Sequence, residues 1–98
     1  MRDVALRPEA VLDVEDIADY TIQQWGKEQA RYYVAELRQA IERLSESADR
    51  FPLSDLPFPG LRRMRCRHHL VYYLVDEAHV DVVRILHERM DASAHLGE

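Results

Sequence analysis

Cysteine is almost missing from this chain. Cys66 is the only one, so no internal disulfide can staple the fold, and the composition fits a reducing compartment, the cytoplasm. Lysine is equally scarce: with Lys27 alone, any positive surface has to be built from arginine. Three glycines leave no Gly-rich loop to cradle a phosphate, and the lack of a cysteine pair removes the usual zinc ligand sets. No apolar run approaches the roughly 18 residues that cross a membrane. The N-terminal MRDVALRPEA has none of the apolar core of a secretion signal. The net charge of −5 argues against general or direct specific nucleic-acid binding, because affinity for that backbone comes from neutralising phosphates.

What is present describes one domain. Ninety-eight residues, 47% apolar and 32% charged, cannot hold two cores but can bury one of modest size. The charge is uneven: residues 1–60 carry twelve acidic and seven basic side chains, whereas residues 61–98 carry six of each. Four of those six basic residues, Arg62, Arg63, Arg65 and Arg67, lie within six positions.

The clearest organising stretch is residues 70 to 91, LVYYLVDEAHVDVVRILHERMD. Two short runs rich in Val, Ile and Tyr, Leu70–Val75 and Val80–Leu86, flank the polar break Asp76-Glu77-Ala78-His79, a strand–turn–strand pattern. A two-stranded ribbon is marginal alone in water, so it needs a covering layer.

The first half of the chain is suited to supply it. After a brief apolar segment at residues 3–7, a possible edge strand, Pro8 stands where a helix starts at no cost in backbone hydrogen bonds. Ala10, Val14, Ile17, Thr21 and Trp25 then recur at helical spacing, with Ala18 and Ile22 widening the stripe. Acids crowd the first turns, where they complement the helix dipole, and Gly26 is a C-cap. A second helix, about Glu28 to Asp49, carries Ala30, Val34, Leu37, Ile41, Leu44 and Ala48 on a 4-3-4-3-4 seam. The two must form a hairpin, at about 8–49. Residues 50–60 hold three of the four prolines and form a stiff return loop, with Phe51, Leu53, Leu56 and Phe58 on the core rim.

In LRRMRCR, residues 61–67, alternation puts Met64 and Cys66 on a core face and Arg63, Arg65 and Arg67 in a row on the outer face. The expectation is an α+β fold: a helix hairpin packed on a small antiparallel sheet at about 61–87, followed by a tail at 88–98. The arginine row, supplemented by Arg62 and Arg84, has two readings. Charges on an edge strand block unwanted pairing, and guanidinium groups grip carboxylates or phosphates bidentately. Cys66 reads as a structural core thiol, since alternation turns its arginine neighbours to the other face. His68 and His69, adjacent on a strand, point apart and cannot chelate one ion, so no metal site is expected. His87 would need a second catalytic group beside it to act as a base.

These residues resemble the ParE toxins of the RelE/ParE superfamily. Val83-Arg84-Ile85-Leu86-His87-Glu88-Arg89-Met90-Asp91 is close to the R-[VI]-L-H-x-x-M-[DN] ending of that family. Asp13-Val14-Glu15-Asp16-Ile17-Ala18-Asp19-Tyr20 matches its D-L-x-x-I-x-x-Y signature, closed by Trp25-Gly26. Arg67-His68-His69 with Val71-Tyr72-Tyr73 fits its R-x-x-x-G-x-H-x-x-F-Y-R region, without the glycine and with Leu74 where arginine is frequent.

The resemblance implies a cytoplasmic toxin neutralised by a ParD-type antitoxin, which lays a helix and an extended arm over the toxin. Apolar residues on both sheet faces (Val71, Tyr73, Val75, Val83 and Ile85 opposing Leu70, Tyr72, Val80 and Val82) suit a second face awaiting that partner. Arg63, Arg65, Arg67, Tyr73 and Arg84 are expected to meet the antitoxin, whose acidic segments match the arginines. The tail with His87, Arg89, Met90, His95 and Leu96 is expected to face the target. For that target the resemblance implies DNA gyrase, inhibited by binding without catalytic residues or cofactor. The alternative is a RelE-like ribosome-dependent mRNA endoribonuclease. No Lys or Tyr follows Tyr73, so a nuclease would have only Arg84, His87, Arg89 and His95 to work with. An inert antitoxin-binding remnant is the third possibility.

Overall fold

The computed structural model describes residues 1–96; Gly97 and Glu98 of the expected tail lie outside the described residues. The element order is β1 (Asp3–Leu6), α1 (Pro8–Trp25), α2 (Lys27–Glu42), α3 (Leu44–Ser47) and a 3-10 turn (Ala48–Arg50), then β2 (Arg62–Cys66), β3 (His69–Val75), β4 (His79–His87) and α4 (Ala92–Leu96). The architecture is α+β, with a helix hairpin on one face of a four-stranded sheet.

Pro8 opens α1 as expected, and only Gly26 separates the two long helices. Its N–H donates to the Ile22 carbonyl at 2.9 Å, closing α1. Its φ of +92° lies where side chains are strained, although a Cβ there would touch nothing. The need for glycine is therefore conformational rather than steric. The expected second helix breaks near Arg43, where the Ser47 hydroxyl donates back to the Arg43 carbonyl at 2.9 Å. Such back-bonding competes with the helical ladder and bends it. The seam nevertheless runs on through the break: Leu37, Ile41, Leu44 and Ala48 are all buried, with Val34 partly so. Trp25 is not on the core; at the last residue of α1 it is 71% exposed.

The sheet order is β1-β4-β3-β2, with β1 parallel to β4 and the other pairs antiparallel. The sheet is thus mixed, and the brief N-terminal segment is a genuine strand that moves β4 to the interior. A register shift lies between Tyr72 and Tyr73: Tyr72 pairs with Arg84 and Tyr73 with Val82, leaving Val83 as the extra residue of a bulge. Val80, Val82 and Ile85 therefore face the helices together with Val71, Tyr73 and Met64, while Val83 and Leu86 face the other way with Tyr72. Strict alternation, which grouped Val83 with Ile85 and set Val80 and Val82 apart from Tyr73, is corrected by this one inserted residue.

The second face is also occupied. Leu61, Tyr72, Val83, Leu86 and Leu96 form a buried cluster, packed by Leu56, Phe58, Leu70, Leu74 and Ala92. The proline-rich loop and α4 cover the apolar surface expected to await a partner. Leu53 is the exception in that loop, 60% exposed. No described helix is long and apolar enough to cross a membrane.

Candidate functional site

The arginines do not form one row. Arg63 and Arg65 are exposed on the outer side of β2, while Met64 is buried beneath the helices and Cys66 is half-buried beside it. Burial, reinforced by the Glu36 carboxylate, pushes the Cys66 thiol up, as suits an unreactive packing residue. Arg67 leaves the row because the β2–β3 turn places it at φ +57°, the position where the family pattern carries glycine. Its guanidinium swings to the helix side and grips Glu36 of α2 through two bonds of 2.9 Å. Arg65 pairs with Glu88, and Arg62 donates to the Phe51 carbonyl. Among the described residues Arg63 makes no ion pair.

The geometry at Arg67 allows backbone strain to be separated from ion pairing. Arg67→Ala and Arg67→Gly both delete the Glu36 pair, but only glycine takes the left-handed conformation freely. Alanine should be the less stable variant by about 1 kcal/mol in urea unfolding. Equal stabilities would mean that the turn relaxes out of this conformation.

Arg84 and Tyr73 are likewise not free to meet an antitoxin as expected: Tyr73 is buried, and Arg84, partly exposed, is engaged by α1. Arg84 binds Asp13 of α1 bidentately, at 2.8 and 2.9 Å. The same carboxylate accepts the Ile85 N–H at 2.8 Å. Tyr73 is fully buried and its hydroxyl donates to the Ala48 carbonyl at 2.6 Å. Burial pushes that phenol up to about 12. Both residues hold the sheet to the helices.

The end of the sheet where β3 starts and β4 stops gathers groups the sequence did not link. The Tyr33 hydroxyl of α2 lies 2.6 Å from His69 Nδ1, and the His68 Nδ1 lies 2.9 Å from Glu88. The His87 ring stacks on His68 and sits edge-on to His69, with centroids 6.3 and 5.2 Å away. His87 Nδ1 accepts the Arg89 N–H at 3.1 Å. Among the described residues no three His, Cys, Asp or Glu side chains converge as a metal site requires.

This cluster makes stability depend on pH. Burial, then the neighbouring His87 and His68, lower the His69 pKa from 6.5 to about 4. Between those values the unfolded chain takes up the proton more readily than the folded one, so stability falls as pH falls through this window. Solvent screening of a half-exposed ring leaves about 1 kcal/mol lost between pH 7 and 5. Glu88, held at about 2 by Arg65 and His68, loses its contribution only at lower pH. Urea unfolding at pH 7 and 5 should show the loss, and His69→Gln should reduce it; an unchanged pH dependence in that variant would assign it elsewhere.

The expected target-facing tail is partly internal. Arg89, Met90 and His95 are exposed and His87 is half-buried, but Leu96 is only 5% exposed and sits in the second core cluster. Leu96 therefore anchors α4 instead of meeting a target. On the helix side of the sheet, a cleft of about 910 Å³ opens between α2 and the outer edge of β2. Ala40, Phe51, Met64 and Cys66 line it, and Glu36, Arg43, Arg65 and Arg67 are among its charged residues.

Tyr33, Glu36, Glu88 and Asp13 are the residues sequence reasoning missed. Only Asp13 carried a local signal: it falls three residues after Ala10 and four before Ile17, on the same helical stripe as the core.

A family model described as "ParE toxin of type II toxin-antitoxin system, parDE" matches residues 4–92. The chain is 42% identical to a Toxin ParE of Escherichia coli, over 95% of this chain and 91% of that one. To Toxin ParE1 of Caulobacter vibrioides it is 37% identical, over 99% and 100%. Among solved structures, a chain of a chromosomal ParDE toxin–antitoxin system from P. aeruginosa superposes with a TM-score of 0.78 at 19% identity, covering 89% of this chain and 96% of that one. A chain of the RelBE2 toxin–antitoxin complex of Mycobacterium tuberculosis superposes at 0.67 and 16%, covering 88% and 96%.

Proposed function

Since the chain belongs to the ParE family, the toxins of type II toxin–antitoxin systems, we propose that it inhibits DNA gyrase by binding, without catalysis, and that a ParD-type antitoxin neutralises it by direct contact in the cytoplasm. The observation that carries the first part is the engagement of its cations. Cleaving a phosphodiester requires positive groups aimed at the phosphate and a placed acid and base. Here Arg84 is held by Asp13, Arg67 by Glu36 and Arg65 by Glu88. Three guanidinium groups already paired in this way suit recognition better than transition-state stabilisation.

One feature favours the ribosome-dependent nuclease as a second reading. Glu88 orients His68 with His87 stacked beside it, two adjacent imidazoles of the residue type that acid–base cleavage most often uses. Two assays on purified, antitoxin-free chain separate the readings: supercoiling and DNA cleavage by gyrase, and mRNA cleavage on ribosomes. Trapped gyrase–DNA cleavage with intact mRNA is the expected result. Cut mRNA with unaffected gyrase would make the chain a nuclease and His68 and His87 its catalytic candidates.

For the antitoxin we assign Arg63 and Arg65, with Arg67 at the cleft rim, as the contacting arginines; Tyr73, bonded to Ala48, and Arg84, held by Asp13, keep internal roles. Arg89, Met90 and His95, next to half-buried His87, are the tail residues left to meet gyrase.

A further inference from the structure

We infer that the solvent-facing groove of the helix hairpin is a self-association surface, and that its occupant is α1 of a second copy of this chain, related by a two-fold axis near Ala18. The inference depends on neither the gyrase nor the antitoxin reading.

Helix α1 has a second apolar stripe beside its buried one. Ala10, Val14, Ile17 and Thr21 are buried. Val11, Ala18, Ile22 and Trp25 recur next to them at steps of seven, four and three residues, the spacing of a helix-packing seam. Val11, Ile22 and Trp25 are nevertheless exposed, and Ala18 is partly so. The other flank of α1 turns to the outer side of β4, where Asp13 holds Arg84. Helix α2 lies on the opposite side, joined to β3 and the β2–β3 turn by Tyr33–His69 and Glu36–Arg67. At about 100° per residue, Val11, Ala18 and Ile22 fall away from Asp13 and therefore beside α2. On α2 the residues turned away from Tyr33 and Glu36, toward that stripe, are Lys27, Arg31 and Arg38, all exposed.

The groove thus has an apolar floor and walls of opposite sign. Helix α1 contains no Lys or Arg, and its Glu15 and Asp19 border the stripe on the solvent side. Among the described residues neither of these acids, nor Lys27, Arg31 or Arg38, forms an ion pair. A partner of a single charge sign would match one wall and be repelled by the other. A second copy matches both, because a two-fold interface makes every contact twice. Val11 and Trp25 each stand seven residues from Ala18, so antiparallel pairing of two α1 helices about Ala18 sets Val11 of each copy beside Trp25 of the other. The small Ala18 side chain lets the helices approach at the crossing. In that register Glu15 of one copy comes beside Arg31 of the other, and Asp19 lies between Arg31 and Arg38.

Sedimentation equilibrium of the purified, antitoxin-free full chain over a wide concentration range is the test. A monomer–dimer equilibrium that weakens with added salt is expected. Two charge-reversed chains, Glu15→Lys with Asp19→Lys and Arg31→Glu with Arg38→Glu, should each raise the dimer dissociation constant by about tenfold or more, since each sets like charges together. Their equimolar mixture should dimerise as the wild type does, because the reversed acids of one then meet the reversed bases of the other. All four positions are exposed. If either chain fails to fold, Trp25→Ser, at a ring outside both core clusters, takes its place and should weaken the dimer. A wild-type chain that stays monomeric throughout, variants that associate as the wild type does, or a mixture that stays monomeric would each overturn the proposal.

Discussion

Replacing Asp13 by alanine should cost about 2–4 kcal/mol, measured as a lower urea midpoint with unchanged slope. Three bonds end on this carboxylate: two from Arg84 and one from the Ile85 N–H, all between 2.8 and 2.9 Å. Breaking a buried pair by removing one partner costs about 3–5 kcal/mol, because the remaining charge is stranded. The Arg84 side chain is 21% exposed, so some water can reach it and the expected cost falls below that range. The backbone part of the cost follows from the sheet. Pairing of β1 with β4 ends at Leu6 and Val82, and the bulge at Val83 then turns the Ile85 amide to an edge with no strand beside it among the described residues. Asp13, one turn into the helix that follows β1, supplies the missing acceptor. Asp13→Asn keeps an oxygen for Ile85 and loses only the charge, so it should be milder than alanine by about 1 kcal/mol. If alanine and asparagine were equal, the Ile85 bond would carry no weight; if both cost under about 0.5 kcal/mol, the site would behave as an ordinary surface pair.

Asp13 also marks what could be read from the sequence. Patterns of local origin were legible: the helix stripe from Ala10 to Thr21, the seam from Ala30 to Ala48, the two strands around Asp76–His79, and the buried side of Met64. Each rests on a spacing within a few residues. The elements that escaped are set by distant partners. Asp13 and Arg84 are 71 residues apart, Glu36 and Arg67 31 apart, and Arg65 and Glu88 23 apart. No window along the chain contains both members of any of these pairs. The bulge escaped for a different reason. Val82-Val83-Arg84 has no glycine or proline to mark a break, and the inserted residue is visible only from the register of β3. From that single shift follow the exchanged faces of Val80, Val82 and Val83. The Arg67 turn lies between the two cases. The lack of glycine there was plain in the sequence, but a left-handed arginine held by Glu36 became visible only with α2 in place.

Tyr73 provides the largest single effect expected, and it separates a core role from a contact role. Replacement by alanine should cost about 3–5 kcal/mol, the usual result of emptying a buried aromatic site. A domain of this size has only about 5–15 kcal/mol to lose, so the melting temperature should fall by more than 10 °C. Tyr73→Phe keeps the ring and deletes only the 2.6 Å bond to the Ala48 carbonyl, for about 1 kcal/mol. Arg63→Ala, on the exposed face of the neighbouring strand, should change stability by under about 0.5 kcal/mol. Thermal unfolding of the three variants followed by circular dichroism checks the order. A Tyr73→Ala protein as stable as the wild type would mean that the ring is not the keystone between sheet and helices that its burial indicates. The same ranking governs how binding data should be read. Lost antitoxin affinity in Tyr73→Ala would report a loosened core, whereas lost affinity in Arg63→Ala, with its melting temperature intact, would report the removal of a contact.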